Sequence, residues 1–105
     1  MLIVKIHLLD QRILRKNGYD SYKINRMLDH VFLDVCRAEK IVDGEYSSVD
    51  DFHDFVPLMT AACLLAEKKD VRRFCKKILW VKRNEKDETY YVEDILEEVH
   101  KKLVD

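Results

Sequence analysis

Only two glycines and one proline occur among the 105 residues of this chain, and that scarcity constrains its folding more than any other feature. Glycine supplies the positive φ angles of tight turns and proline presets φ at their second position, so few ready-made hairpins are expected. The rest is 48% apolar and 37% charged, a mixture suited to amphipathic helices. The expectation is an all-α fold: a single helical domain over residues 1–105, built as a compact bundle of four or five amphipathic helices. A chain of this size buries roughly two thirds of its unfolded surface in one core. That core is expected to centre on Val31, Phe52, Phe74, Ile78, Ile95 and Val99.

Periodicity places the elements. In residues 2–16, Leu2, Ile6, Leu9 and Ile13 share a helical face, and Arg15 to Gly18 read as a helix ending. The same stretch also alternates as a strand through Leu2, Val4, Ile6 and Leu8. A second helix, capped by Asp20 or Ser21, carries Ile24, Met27, Leu28, Val31, Val35 and Val42 on one face, with Phe32 at its edge, and stops at Asp43 and Gly44. Ser48 is placed to cap a third, along which Val49, Phe52, Val56, Met59, Cys63 and Ala66 align, with a kink or a new start at Pro57. The fourth spans residues 68–83 and is begun by Asp70. The last, capped by Thr89, presents Val92, Ile95, Leu96, Val99 and Leu103. The alternative is a helical domain with a small β-hairpin near residues 78–92, its turn at NEKD. Joined by a strand at Leu2 to Leu9, this would resemble the small sheet of a winged-helix domain.

The net charge of −1 conceals segregation. Six cations face two acids over residues 1–27, two face nine over 28–67, nine face two over 68–86, and two face seven over 87–105. Alternating blocks of this kind fit neighbouring elements with complementary surfaces, and equally a positive block that meets an acidic partner.

Read as one helix, residues 68–83 turn Val71, Phe74, Cys75 and Ile78 inward and Lys69, Arg72, Arg73, Lys76, Trp80 and Arg83 outward. A tryptophan among exposed cations is the composition of a binding hot spot. These six residues are the candidate partner-binding face. The expected partner is an acidic protein surface, another copy of the chain being one version. Nucleic acid, with cations on phosphates and Trp80 stacked on a base, is the second reading. Near-zero net charge counts against it.

Catalysis finds little support in the residue pattern. Asp50 with His53 and Glu97 with His100 have the i, i+3 spacing of helical metal ligands, but both carboxylates lie far round the wheel from their apolar stripes. With Gly18 and Gly44 as the glycines, no phosphate-binding loop can be drawn. Cys36, Cys63 and Cys75 form no CxxC pair and read as packed thiols in a reducing compartment. The run MLIVKIHLLD is broken by Lys5, His7 and Asp10, which fits neither a signal peptide nor a membrane span. The expected protein is therefore cytoplasmic, free of membrane, metal and cofactor, and non-catalytic: an interaction or regulatory module.

Overall fold

A computed structural model describes residues 2–48, 55–84 and 89–104. The described elements are β1 (Leu2–Leu8), α1 (Gln11–Lys16), α2 (Ser21–Asp29), a π-helical turn (His30–Val35), β2 (Glu39–Val42) and β3 (Glu45–Ser47). They continue with α3 (Phe55–Glu67), α4 (Lys69–Phe74), β4 (Cys75–Asn84), β5 (Thr89–Asp94) and α5 (Ile95–Val104). The strands form an antiparallel five-stranded sheet in the order β2-β3-β1-β4-β5. The fold is α+β, and the expected all-α bundle is overturned by this sheet. The hairpin alternative falls short for the same reason. Strands β4 and β5 do pair around residues 85–88, but as one edge of a sheet that runs through the whole molecule.

The first strand shows why. Leu2, Val4 and Ile6 are buried while Ile3 and Lys5 are only half-buried and His7 is exposed, a period of two that a helix cannot satisfy. Val4 pairs with Tyr46 on β3 and with Trp80 on β4, and Ile6 pairs with Ile78, so these side chains share one face. That face and the inward sides of the helices make a single core: Ile24, Leu28 and Phe32, then Leu58, Ala62, Leu65 and Ala66, then Val71, Phe74 and Ile95.

Two turns carry the glycines. Gly18, at φ +82°, follows α1 as expected from the sequence. Gly44, also at +82°, closes the β2–β3 hairpin rather than ending a long helix. Its carbonyl accepts from Ile6 N at 2.7 Å, and a Cβ at this position would lie 2.7 Å from the Ile6 carbonyl oxygen. Asp20 does cap α2, its Oδ1 accepting from Tyr22 N at 2.9 Å.

Other boundaries differ from expectation. The second helix ends with the π-helical turn, which leaves Val35 and Val42 exposed rather than on a core face. The backbone that Ser48 was expected to cap lies outside the described residues. The Ser48 amide donates to Leu2 O, and its hydroxyl accepts from Leu2 N at 3.3 Å. The described buried side of α3 is Leu58, Ala62, Leu65 and Ala66, with Val56 exposed; the kink or new start expected at Pro57 turns on the residues before Phe55, which lie outside those described. Val49 and Phe52 lie outside the described residues. Thr89 is in a strand, Val92 is exposed, and α5 begins only at Ile95.

Candidate functional site

The expected helix over 68–83 is two elements. Lys68 is extended and separates α3 from α4, and α4 lasts six residues before the chain becomes β4 at Cys75. Val71 and Phe74 anchor α4 in the core, with the Phe74 ring edge-on to Tyr19 at 5.4 Å. This leaves Lys69 and Arg73 exposed and Arg72 half-buried. At the start of β4, His7 pairs with Lys77 and Leu8 with Cys75, so Lys76 is an extra residue in a β-bulge. A bulge breaks the alternation of the strand and re-aims the side chain it carries. Lys76 is exposed and stands with the α4 cations.

The opposing wall is the start of α5. Strand β5 passes into this helix without a loop, and the pairing of Leu79 with Asp94 sets the junction beside the bulge. Asp94 caps the helix, its Oδ1 accepting from Leu96 N at 3.1 Å and Glu97 N at 3.3 Å. Between the walls is an open cleft of about 550 Å³. Lys69, Arg72, Arg73 and Lys76 line one side, and Asp94, Leu96, Glu97 and His100 the other.

The charges in the cleft are unequally engaged. Asp94 is occupied as the helix cap, and Glu97 holds Lys101 at 3.6 Å. Arg73 reaches Asp70 only at 4.0 Å. Among the described residues no ion pair holds Lys69, Arg72 or Lys76, and the Arg72 Nε is buried without a hydrogen-bond partner. An N–H of a charged group left so is costly.

Four of the six residues singled out from sequence thus converge on one cleft. Trp80 does not. It lies on β4, 3% exposed, on the core face opposite Val4. The expected solvent-facing tryptophan is corrected: residues 75–84 are a strand, and alternation turns Ile78 and Trp80 to the core together. Arg83 is also on β4, away from α4, and its side chain lies outside what is described. Asp94 and Leu96 were not legible as site residues, and Glu97 with His100 only as a metal-ligand spacing set aside on the helical wheel, because strand pairing, not sequence proximity, brings them to α4.

Cys75 is buried, and burial pushes its thiol up to about 12. Burial likewise raises Cys36, whose thiol contacts Pro57 O at 3.7 Å. Among the described residues no group of three or more His, Cys, Asp or Glu side chains is placed to hold a metal ion. Asp50 and His53 lie outside those residues. Among them, too, no helix is long and apolar enough to cross a membrane.

Comparison with family models, curated proteins and solved structures finds no match.

Proposed function

We propose that this chain is a non-catalytic cytoplasmic interaction module that takes an acidic protein segment in the cleft between α4 and α5. One observation carries the reading: Lys69, Arg72, Arg73 and Lys76 line one wall, while the acids of the other wall are already engaged. Four cations against the two carboxylates Asp94 and Glu97 leave the cleft with an excess of cationic donors. Leu96 adds an apolar surface for a side chain lying between two acids of the partner. A partner bound through desolvated Arg and Lys contacts gains specificity and association rate from this charge match.

A nucleic-acid duplex is the weaker reading. Its phosphates would run past Asp94 and Glu97, and the chain as a whole carries −1.

The test is fluorescence anisotropy of a labelled Asp/Glu-rich peptide and of a labelled DNA duplex, each titrated with the protein. The peptide should bind, and the triple variant Arg72→Glu, Arg73→Glu, Lys76→Glu should weaken it on the order of tenfold or more. Its thermal stability should stay within about 1 kcal/mol of the parent, because these side chains are half-buried or exposed. Tighter binding of the duplex, with an affinity falling steeply in salt, would reverse the choice of partner.

A further inference from the structure

Helix α3 is apolar on the side it turns to water. From Phe55 to Ala66 the sequence FVPLMTAACLLA carries no charge. The inward side is Leu58, Ala62, Leu65 and Ala66, and the outward side runs through Val56, Pro57, Thr60 and Leu64 to Glu67, with Cys63 half-buried beside it. Val56 is 66% exposed and Leu64 55%. A surface helix of a globular protein carries charge opposite its core face, and one apolar all round is normally covered on both sides. The patch extends beyond the helix. The Cys36 thiol contacts the Pro57 carbonyl, which brings the end of the π-helical turn to the start of α3, and Val35 on that turn is 68% exposed.

We propose that this face is covered by a second copy of the chain, with the two α3 helices packed antiparallel about a two-fold axis at Thr60. Spacing and charge select this occupant. Turned about Thr60, Val56 of one copy meets Leu64 of the other, and the uncharged middle of the stripe faces itself without repulsion. The ends are complementary. Arg37, one residue beyond Cys36, is exposed beside the N-terminal end of the stripe, and Glu67 is exposed at its C-terminal end. Neither has an ion-pair partner among the described residues. An antiparallel pairing brings Arg37 of each copy to Glu67 of the other, so the match is made twice.

Arg37 also stands at φ +58°, the one positive φ outside glycine among the described residues. That conformation ends the π-helical turn, with Ala38 N donating to Phe32 O at 2.8 Å. A single helix pair with flanking charges falls at the low end of the about 1,200–2,000 Å² buried by stable complexes, so a weak, concentration-dependent dimer is expected. The surface is separate from the α4–α5 cleft, so either inference can fail without the other.

Sedimentation equilibrium of the full chain over a range of concentrations tests this. The expected result is a monomer–dimer equilibrium. Leu64→Asp should weaken it by roughly thirtyfold or more while leaving the melting temperature of the monomer nearly unchanged, since the residue is exposed. Arg37→Glu and Glu67→Arg should each weaken it by roughly tenfold, two ion pairs being lost at once, and the double variant should regain most of the loss. In a Cys36→Ser, Cys63→Ser background, Thr60→Cys should give a covalent dimer on mild oxidation, whereas Tyr22→Cys, elsewhere on the surface, should not. A protein that stays monomeric at its highest soluble concentration overturns the proposal. So does a dimer that Leu64→Asp leaves intact, or one that Thr60→Cys does not cross-link.

Discussion

Single residues separate this fold from its helical alternative, and Gly44 does so most sharply. Its positive φ is shared with Gly18, but only at Gly44 would a Cβ meet backbone, at 2.7 Å from Ile6 O. Gly44→Ala should therefore cost more than Gly18→Ala. We expect about 2 kcal/mol or more at Gly44 and about 1 kcal/mol at Gly18, where the space is open, both read from urea unfolding. Trp80 gives the second residue-scale prediction. Packed on the core face of β4, it should emit blue-shifted fluorescence shielded from iodide, and Trp80→Ala should cost about 3–5 kcal/mol through the cavity it leaves. Red-shifted, freely quenched emission would restore the exposed tryptophan that a continuous helix implies.

The elements show how far the sequence could be read. Two helix ends were legible because their signals act locally: Asp20 sits at the start of α2, and Arg15, Lys16 and Gly18 mark the end of α1, whereas the cap expected at Thr89 is supplied by Asp94. The strands were less so: periodicity presents β1, β4 and β5 only as the alternative to helices and reads β2 and β3 as helix and loop, since their state is decided by pairing across the sheet. The helical grouping of Val71, Phe74, Cys75 and Ile78 correctly finds four buried residues. Two of them are buried by a short helix and two by a strand, which happen to mimic one wheel. Asp43-Gly44 between Val42 and Glu45 is a hairpin signal that also reads as a helix stop, and only the pairing of β3 with β1 decides between them.

The β2–β3 hairpin is tied to α2 by Tyr46. Its ring stacks on Phe32 at 4.6 Å, and its hydroxyl donates to Asp29 at 2.6 Å, while Lys40 also holds Asp29 at 2.9 Å. Burial alone would raise the Asp29 carboxyl, but the Tyr46 and Lys40 hydrogen bonds outweigh it and hold the group below its ordinary 3.8. The folded state thus favours the ionised form. Its contribution to stability is present above 3.8 and is lost as pH falls through the lower folded value. For Tyr46, burial and the bond to Asp29 act the other way and favour the neutral phenol, so stability is full below 10.0 and declines as pH rises beyond it. Urea unfolding across pH should show both limbs. Tyr46→Phe should remove the alkaline limb assigned to this residue and cost about 1–2 kcal/mol near neutrality.

At the scale of the whole molecule, the alternation of charge along the chain becomes a spatial arrangement. Pairing of β4 with β5 folds the acidic C-terminal block back against the basic one, and the two meet at the α4–α5 cleft. Part of the charge is settled there internally, by Asp94 on its helix and Glu97 on Lys101, and the excess is cationic. The sequence pointed to the cations, and to Glu97 and His100 of the opposite wall only as a discounted metal spacing, because it is strand pairing that sets residues 69–76 beside 94–100. The central claim is that this excess receives an acidic protein segment, and amide-resolved NMR tests it most directly. On titration with an Asp/Glu-rich peptide, shifts should cluster at residues 69–76 and 94–100 and weaken with added salt, while the Trp80 indole signal stays in place. Shifts centred elsewhere, or none at saturating peptide, would contradict the assignment of the cleft.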